Sequence, residues 1–105
     1  MSEEPAIRAV LRAYADAYSA RDVRAVQRVY PGVNATSLQR NFSQAKSQTV
    51  QVTGEQIQVN GATATVTLTW QMVFEGQVGG VQRASPQVVL TLQKTANAWV
   101  IVDRK

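Results

Sequence analysis

"TVQVTGEQIQVNGATATVTLTWQMVF", residues 49–74, decides the fold. Its apolar side chains recur at every second position, through Val50 and Val52, Ile57 and Val59, then Ala62, Ala64, Val66, Leu68, Trp70, Met72 and Phe74. A period of two belongs to strands with one face buried. The opposite side carries Thr63, Thr65, Thr67, Thr69 and Gln71. Asn60-Gly61 between the two runs is a type I′ hairpin signal. At about 3.3 Å per residue the strand from Ala62 to Phe74 spans roughly 43 Å, more than a few short helices cover if it is flat. The sheet is therefore expected to curl.

Register arithmetic locates the expected bends. A two-residue turn at Asn60-Gly61 sets Val59 opposite Ala62 and Ile57 opposite Ala64, but it then brings Glu55 onto the apolar face opposite Val66. One extra residue at Gly54-Glu55 returns Val52 to Leu68 and Val50 to Trp70, which predicts a bulge there. Further on, a tight turn at Gly79-Gly80 faces Val89 to Trp70. Restoring Val88, Leu90 and Leu92 to the apolar side needs another residue, placed near Ser85-Pro86 because proline cannot donate to a ladder. A last hairpin turning near Ala96-Asn97 pairs Leu92 with Ile101 and Leu90 with Asp103.

Upstream of these strands the period is helical. Ile7, Val10, Leu11, Tyr14, Ala17 and Tyr18 recur at steps of three and four, with Arg8, Arg12 and Asp16 on the other side. Pro5 suits the first turn, and Glu3 and Glu4 the positive end of the helix dipole. Asp22 reads as the N-cap of a second helix carrying Val23, Val26, Val29 and Tyr30, stopped by "YPG" at 30–32. Asn34 caps a third, with Leu38, Phe42 and Ala45 as its buried stripe, so that helices occupy about the first 47 residues. Capping also accounts for Asn34 better than the sequon "NAT" at 34–36 does; "NFS" at 41–43 is a second sequon.

Composition narrows the chemistry. The chain of 105 residues, 45% hydrophobic, fits one domain spanning 1–105. It contains no cysteine and no histidine, which removes disulfides, thiolate and imidazole metal sites and Ser-His or Cys-His nucleophile pairs. No metal and no cofactor is expected. No apolar run approaches a membrane span, and "MSEEPAIR" lacks the features of a signal peptide, so no membrane insertion is expected. "MSEEP" reads as a linker, consistent with a domain excised from a longer protein. The net charge of +4 is regional, since residues 23–54 hold Arg24, Arg28, Arg40 and Lys46 and no acid. These bases are too sparse and too poor in aromatic neighbours for nucleic-acid binding, and they read as solvated helix faces.

Helices followed by a curved antiparallel meander define an α+β fold, three N-terminal helices packed on a strongly curved antiparallel β-meander. The runs "AIRAVLRAYADAYSARDVRAVQRVYPG", "SQAKSQTVQVT" and "VVLTLQKTANAWVIVDRK" resemble the nuclear transport factor 2-like superfamily, with its cystatin-like cone. They are similar above all to small SnoaL-like bacterial members that form terminal domains of larger proteins. The resemblance implies the fold across nearly the whole chain, but its functions range over isomerases, cyclases, dehydratases, transport adaptors and association domains. Ketosteroid isomerases of that superfamily carry a helix-1 tyrosine, which Tyr14 matches, and Asp103 is the carboxylate placed to act beside it. The proton-moving aspartate should follow the second helix, and no Asp or Glu occurs from 23 to 54, which rejects isomerase chemistry.

The candidate ligand pocket is Tyr14, Tyr18, Trp70, Trp99 and Asp103, where a small apolar ligand would enter the cone. The candidate dimer face is Thr65, Thr67, Thr69, Gln71, Thr91 and Gln93, because an exposed sheet face nearly free of guarding charges suits a second copy. The expected function is a non-catalytic ligand-binding or self-association module of a larger bacterial protein, a homodimer through the outer sheet face. The alternative is a small cyclase-like or dehydratase-type enzyme on an apolar carbonyl compound, with Tyr14 polarising the carbonyl and Asp103 assisting. The two differ in whether a carboxylate and Tyr14 converge in a closed pocket.

Overall fold

The computed structural model describes residues 3–77, 79–96 and 98–105. Three helices, α1 (Glu4–Ala20), α2 (Val23–Val29) and α3 (Ala35–Ser43), precede five strands, β1 (Ala45–Asn60), β2 (Thr63–Gly76), β3 (Val81–Ala84), β4 (Gln87–Thr95) and β5 (Ala98–Arg104). The sheet runs β1-β2-β4-β5 with β3 also on β2, all antiparallel. Among the described residues no helix is long and apolar enough to cross a membrane.

The helices end where their caps dictate. The Asp22 side chain accepts from the Ala25 N–H at 3.2 Å and Asn34 from the Ser37 N–H at 3.0 Å, each satisfying an orphan donor of a first turn. Pro5 lies in the first turn of α1, and Arg21 closes that helix in the left-handed region at φ 55. The third helix stops at Ser43, earlier than its periodicity suggests, and β1 begins at Ala45 rather than Thr49. Ala45 is buried as expected, but from the strand. There the Arg21 guanidinium donates to its carbonyl at 2.7 Å and holds the crossing from helix to sheet.

The β1–β2 register carries the bulge expected at Gly54-Glu55. Thr53 pairs with Thr69 and Gln56 with Thr67, so two residues face Leu68, and Gly54 takes φ 63. A left-handed glycine at the first position is the G1 bulge. The hairpin itself turns one residue later than the Asn-Gly signal. Asn60 pairs with Thr63, leaving Gly61-Ala62 at the tip, and of these two Gly61 alone has positive φ. Every β1–β2 pair is thereby displaced by two, with Val59 on Ala64, Val52 on Trp70 and Val50 on Met72. A shift of two leaves each side chain on its expected face.

The second expected bulge is absent. β3 and β4 continue one unbroken register on β2, from Glu75↔Val81 to Thr63↔Gln93, and the Trp70 N–H donates to the Pro86 carbonyl at 2.9 Å across the interruption. The missing residue is supplied by the connection, where the Gly76 N–H meets the Gly80 carbonyl. Three residues between them, not two, change the parity and put Val88, Leu90 and Leu92 on Leu68, Val66 and Ala64. Of the last turn, Ala96 has φ 54; Asn97 lies outside the described residues.

A different bulge occurs in β5. Leu92 pairs with Ile101 as expected, but Thr91 pairs with Asp103 and Leu90 with Arg104, because Val102 is an extra residue. Arg104, and not Asp103, therefore shares the apolar face with Leu90. The core beneath the helices joins Ile7, Leu11 and Tyr14 of α1 and Val26 of α2 to Val66, Leu68, Trp70, Leu90, Leu92 and Ile101. At the open edge of β1, the Ser19 hydroxyl accepts from the Val50 N–H at 2.8 Å and donates to the Val50 carbonyl at 3.4 Å, while Gln48 donates to the Tyr18 carbonyl at 2.8 Å.

Candidate functional site

Tyr14 and Tyr18, one helical turn apart on α1, project against Trp70 of β2. Their ring centroids are 5.0 Å apart, and each lies 5.1 Å from Trp70, in edge-on or tilted geometry. Tyr30 from the end of α2 stands 6.3 Å from Tyr14, and Phe42 of α3 5.4 Å from Tyr18. Tyr14 and Trp70 are 1% and 2% exposed, so this part of the cone is filled by its own side chains.

The polar partner of this cluster is Arg104. Its Nη1 donates to the Tyr14 hydroxyl at 2.8 Å, and its guanidinium carbon lies 4.4 Å from the Trp70 ring centroid, 5.8 Å from Tyr14 and 5.9 Å from Tyr18. Arginine over an aromatic face is favourable because a weakly hydrated cation meets the negative face of the ring. The four ion pairs found among the described residues are Arg8 with Glu4 and with Glu55, Lys46 with Glu75, and Lys94 with Glu3. Arg104 is in none of them. Desolvation, then the neighbouring Tyr14, pushes the Tyr18 phenol far above its ordinary pKa, and the same causes, with the Asp103 carboxylate, raise Tyr30.

The five residues expected to form one pocket do not converge. Tyr14, Tyr18 and Trp70 meet; Trp99 does not join them, because its indole N–H donates to Glu3 Oε2 at 2.6 Å at the start of α1, where Lys94 also reaches that carboxylate. Asp103 sits opposite Thr91, displaced from the apolar face by the Val102 bulge. No carboxylate is hydrogen-bonded to Tyr14 among the described residues, and the group on its hydroxyl is a guanidinium. Arg104 escaped the sequence reading because strict alternation assigns it to the outer face, and Val102 carries no glycine or proline to announce a bulge. No group of three metal-ligating side chains occurs among the described residues.

Two clefts flank α3. One of about 200 Å³ is walled by Tyr18, Leu38, Phe42, Met72 and Phe74, with the amides of Asn41, Gln44 and Gln48 at its rim. The next, about 340 Å³, shares Gln44 and Phe74 and extends to Gly76 and Gln77. A groove of about 480 Å³ runs between α1 and β1, over Leu11, Ala15, Val50 and Val52, and is bordered by Arg8, Arg12, Asp16 and Glu55.

The opposite face of the sheet carries the other expected site. Register aligns Gln58, Thr65 and Thr91, then Gln56, Thr67 and Val89, then Thr53, Thr69 and Gln87, with Gln51 beside Gln71 and Gln93 beside Thr63. β1 thus adds amides and a hydroxyl to the face read from β2 and β4. Formal charges lie toward its margins, on Glu75 and Arg83 near the β2–β3 turn, on Asp103 in the edge strand and on Lys105 just after it.

No family model matches the chain, and no curated protein matches it in sequence. Solved structures do match its fold. A candidate scytalone dehydratase from Novosphingobium aromaticivorans superposes with a TM-score of 0.88 at 12% identity, over 97% of this chain and 80% of that one. A nuclear transport factor 2-like superfamily protein from Salmonella enterica gives 0.78 at 16%, over 93% and 84%. An uncharacterized protein with a cystatin-like fold from Caulobacter vibrioides gives 0.77 at 12%, over 96% and 85%.

Proposed function

We propose that this chain, which has the nuclear transport factor 2-like, cystatin-like fold, is a non-catalytic association module whose outer sheet face receives a second copy of itself. The observation that carries the reading is the hydroxyl and amide face built on Thr65, Thr67, Thr69, Gln71, Thr91 and Gln93. A two-fold contact sets each residue near its own copy or that of a neighbour, so a face of one charge sign repels itself, whereas Thr and Gln both donate and accept and complement themselves. Surfaces that stay free in solution usually carry interspersed charges of both signs, and here the charges stand at the margins.

The enzyme reading is supported by the likeness of fold to a candidate dehydratase. A fold lends no chemistry by itself. General acid–base work on a carbonyl compound needs a proton-moving group within reach of the polarising donor, and beside Tyr14 stands a guanidinium that stays protonated at any physiological pH. Association is therefore the better-supported reading.

Sedimentation equilibrium at high micromolar concentration tests it. The expected species is a dimer, converted to monomer by Thr67→Lys, which places like charges across the two-fold without touching the core. A wild-type monomer, or a dimer indifferent to Thr67→Lys, Thr69→Lys and Thr91→Lys alike, would overturn the proposal.

A further inference from the structure

Arg104 is half-buried, with one guanidinium nitrogen committed to Tyr14 and no carboxylate on the others among the described residues. Guanidinium has five N–H donors in a planar fork that matches a carboxylate. The described residues leave no buried side-chain nitrogen or oxygen unpartnered, so the uncommitted donors of this fork are open to solvent. The cation stands over Trp70 with Tyr14 and Tyr18 beside it, and Tyr30 is near. Tyr18 is also a wall of the apolar cleft of about 200 Å³.

We infer that Arg104 is the anchor of a binding site for a small planar organic acid. The carboxylate takes the open edge of the guanidinium fork, and the apolar body lies against Tyr18 and Tyr30, the half-buried rings of the cluster, since Tyr14 and Trp70 are already enclosed. A single unpaired cation suits a monoanion, and the aromatic surroundings suit an aryl carboxylate over acetate or a sugar acid. Tyr18 and Tyr30 keep their protons and do not repel an incoming anion, while the Asp103 carboxylate, which acts on Tyr30, limits the site to one negative charge. Arg24, Arg28, Arg40 and Lys46, the regional bases, are exposed on helix faces or in β1 and lack this aromatic setting. The site lies on the helix side of the sheet and goes beyond the association reading.

Calorimetric titration of the full chain with benzoate, and with benzamide as its neutral isostere, tests the site. Benzoate is expected to bind saturably, and benzamide and acetate at least about tenfold more weakly, as loss of a charge-assisted bidentate contact or of the ring requires. Arg104→Gln is expected to weaken benzoate by at least about tenfold, the loss of one bidentate charged contact, while Arg83→Gln on the outer face leaves it unchanged. In a Trp99→Phe protein, benzoate should perturb emission from the remaining indole, Trp70. Equal binding of benzoate and benzamide, no saturation, or unchanged affinity in Arg104→Gln would overturn the inference. Should Arg104→Gln fail to fold, the benzoate and benzamide comparison and the Trp70 signal still decide on the wild-type arginine. Sedimentation of the same samples keeps the two proposals apart: a dimer that ignores benzoate sinks the acid site alone, and a monomer that binds it sinks the association reading alone.

Discussion

Glu3 gathers two donors at the start of α1, the Trp99 indole and the Lys94 ammonium. The indole hydrogen bond first, and then the lysine, hold its carboxyl below the ordinary glutamate range. A depressed folded-state pKa means that protons bind the unfolded chain more readily. The stabilisation is complete above the unfolded value and is lost as pH falls through the folded one. Glu3→Gln should therefore flatten the acid limb of stability against pH, read from urea midpoints between neutral pH and the onset of acid unfolding, and leave the neutral-to-alkaline part parallel to wild type. An unchanged acid limb would show that this contact does not persist in solution. At this scale the sequence was partly legible. Tyr14, Tyr18 and Trp70 declared themselves by periodicity, because three apolar positions on a helix and a strand must face the same core. Trp99 and Asp103 did not, since what decides their place is a salt-bridged glutamate many residues away and a bulge of one ordinary valine.

Caps and turns were the most legible elements. Asp22 and Asn34 announce helix starts because a short side-chain acceptor satisfies an orphan N–H locally, whatever the tertiary context. The bulge at Gly54-Glu55 was legible from register, which otherwise put Glu55 on the apolar face, and Gly54 accommodates it at φ 63, in the left-handed region that glycine takes freely, with open space where a Cβ would stand. Gly54→Val should therefore cost about 1–2 kcal/mol, the left-handed penalty of an L-residue without any clash. Gly54→Asn should cost clearly less, because a short polar side chain tolerates that region, and chemical denaturation of the pair measures the difference. Equal costs would mean that the strand re-pairs without its bulge. Loop parity was illegible. Whether the turn is two residues at Gly79-Gly80 or three between Gly76 and Gly80 flips the faces of everything downstream, yet either is compatible with a glycine-rich connection.

On the scale of the molecule, period alone was enough for the α+β architecture, since helices with one apolar stripe and a sheet with one apolar face have few ways to cover each other. The curvature followed from the length of β2 against the short helices. The outer face was legible as a face but silent on its occupant. If a second copy binds there, the contact is made of uncharged groups, and its dissociation constant should move by less than about threefold between low and high salt, because screening acts on charges. Sedimentation at two ionic strengths measures this; a steep dependence would assign the contact to the basic residues on the helices instead.

The hydroxyl of Ser19 engages both the N–H and the carbonyl of Val50 along the free margin of β1. A bare margin is a template on which strand after strand adds without limit. Here the first helix has already occupied that template at its centre, so any chain seeking to extend the sheet there must first displace a helix end bound to it. Growth sideways from β1 is opposed while the broad surface stays open, and a two-fold assembly formed on that surface would close at two copies rather than run on as a fibre.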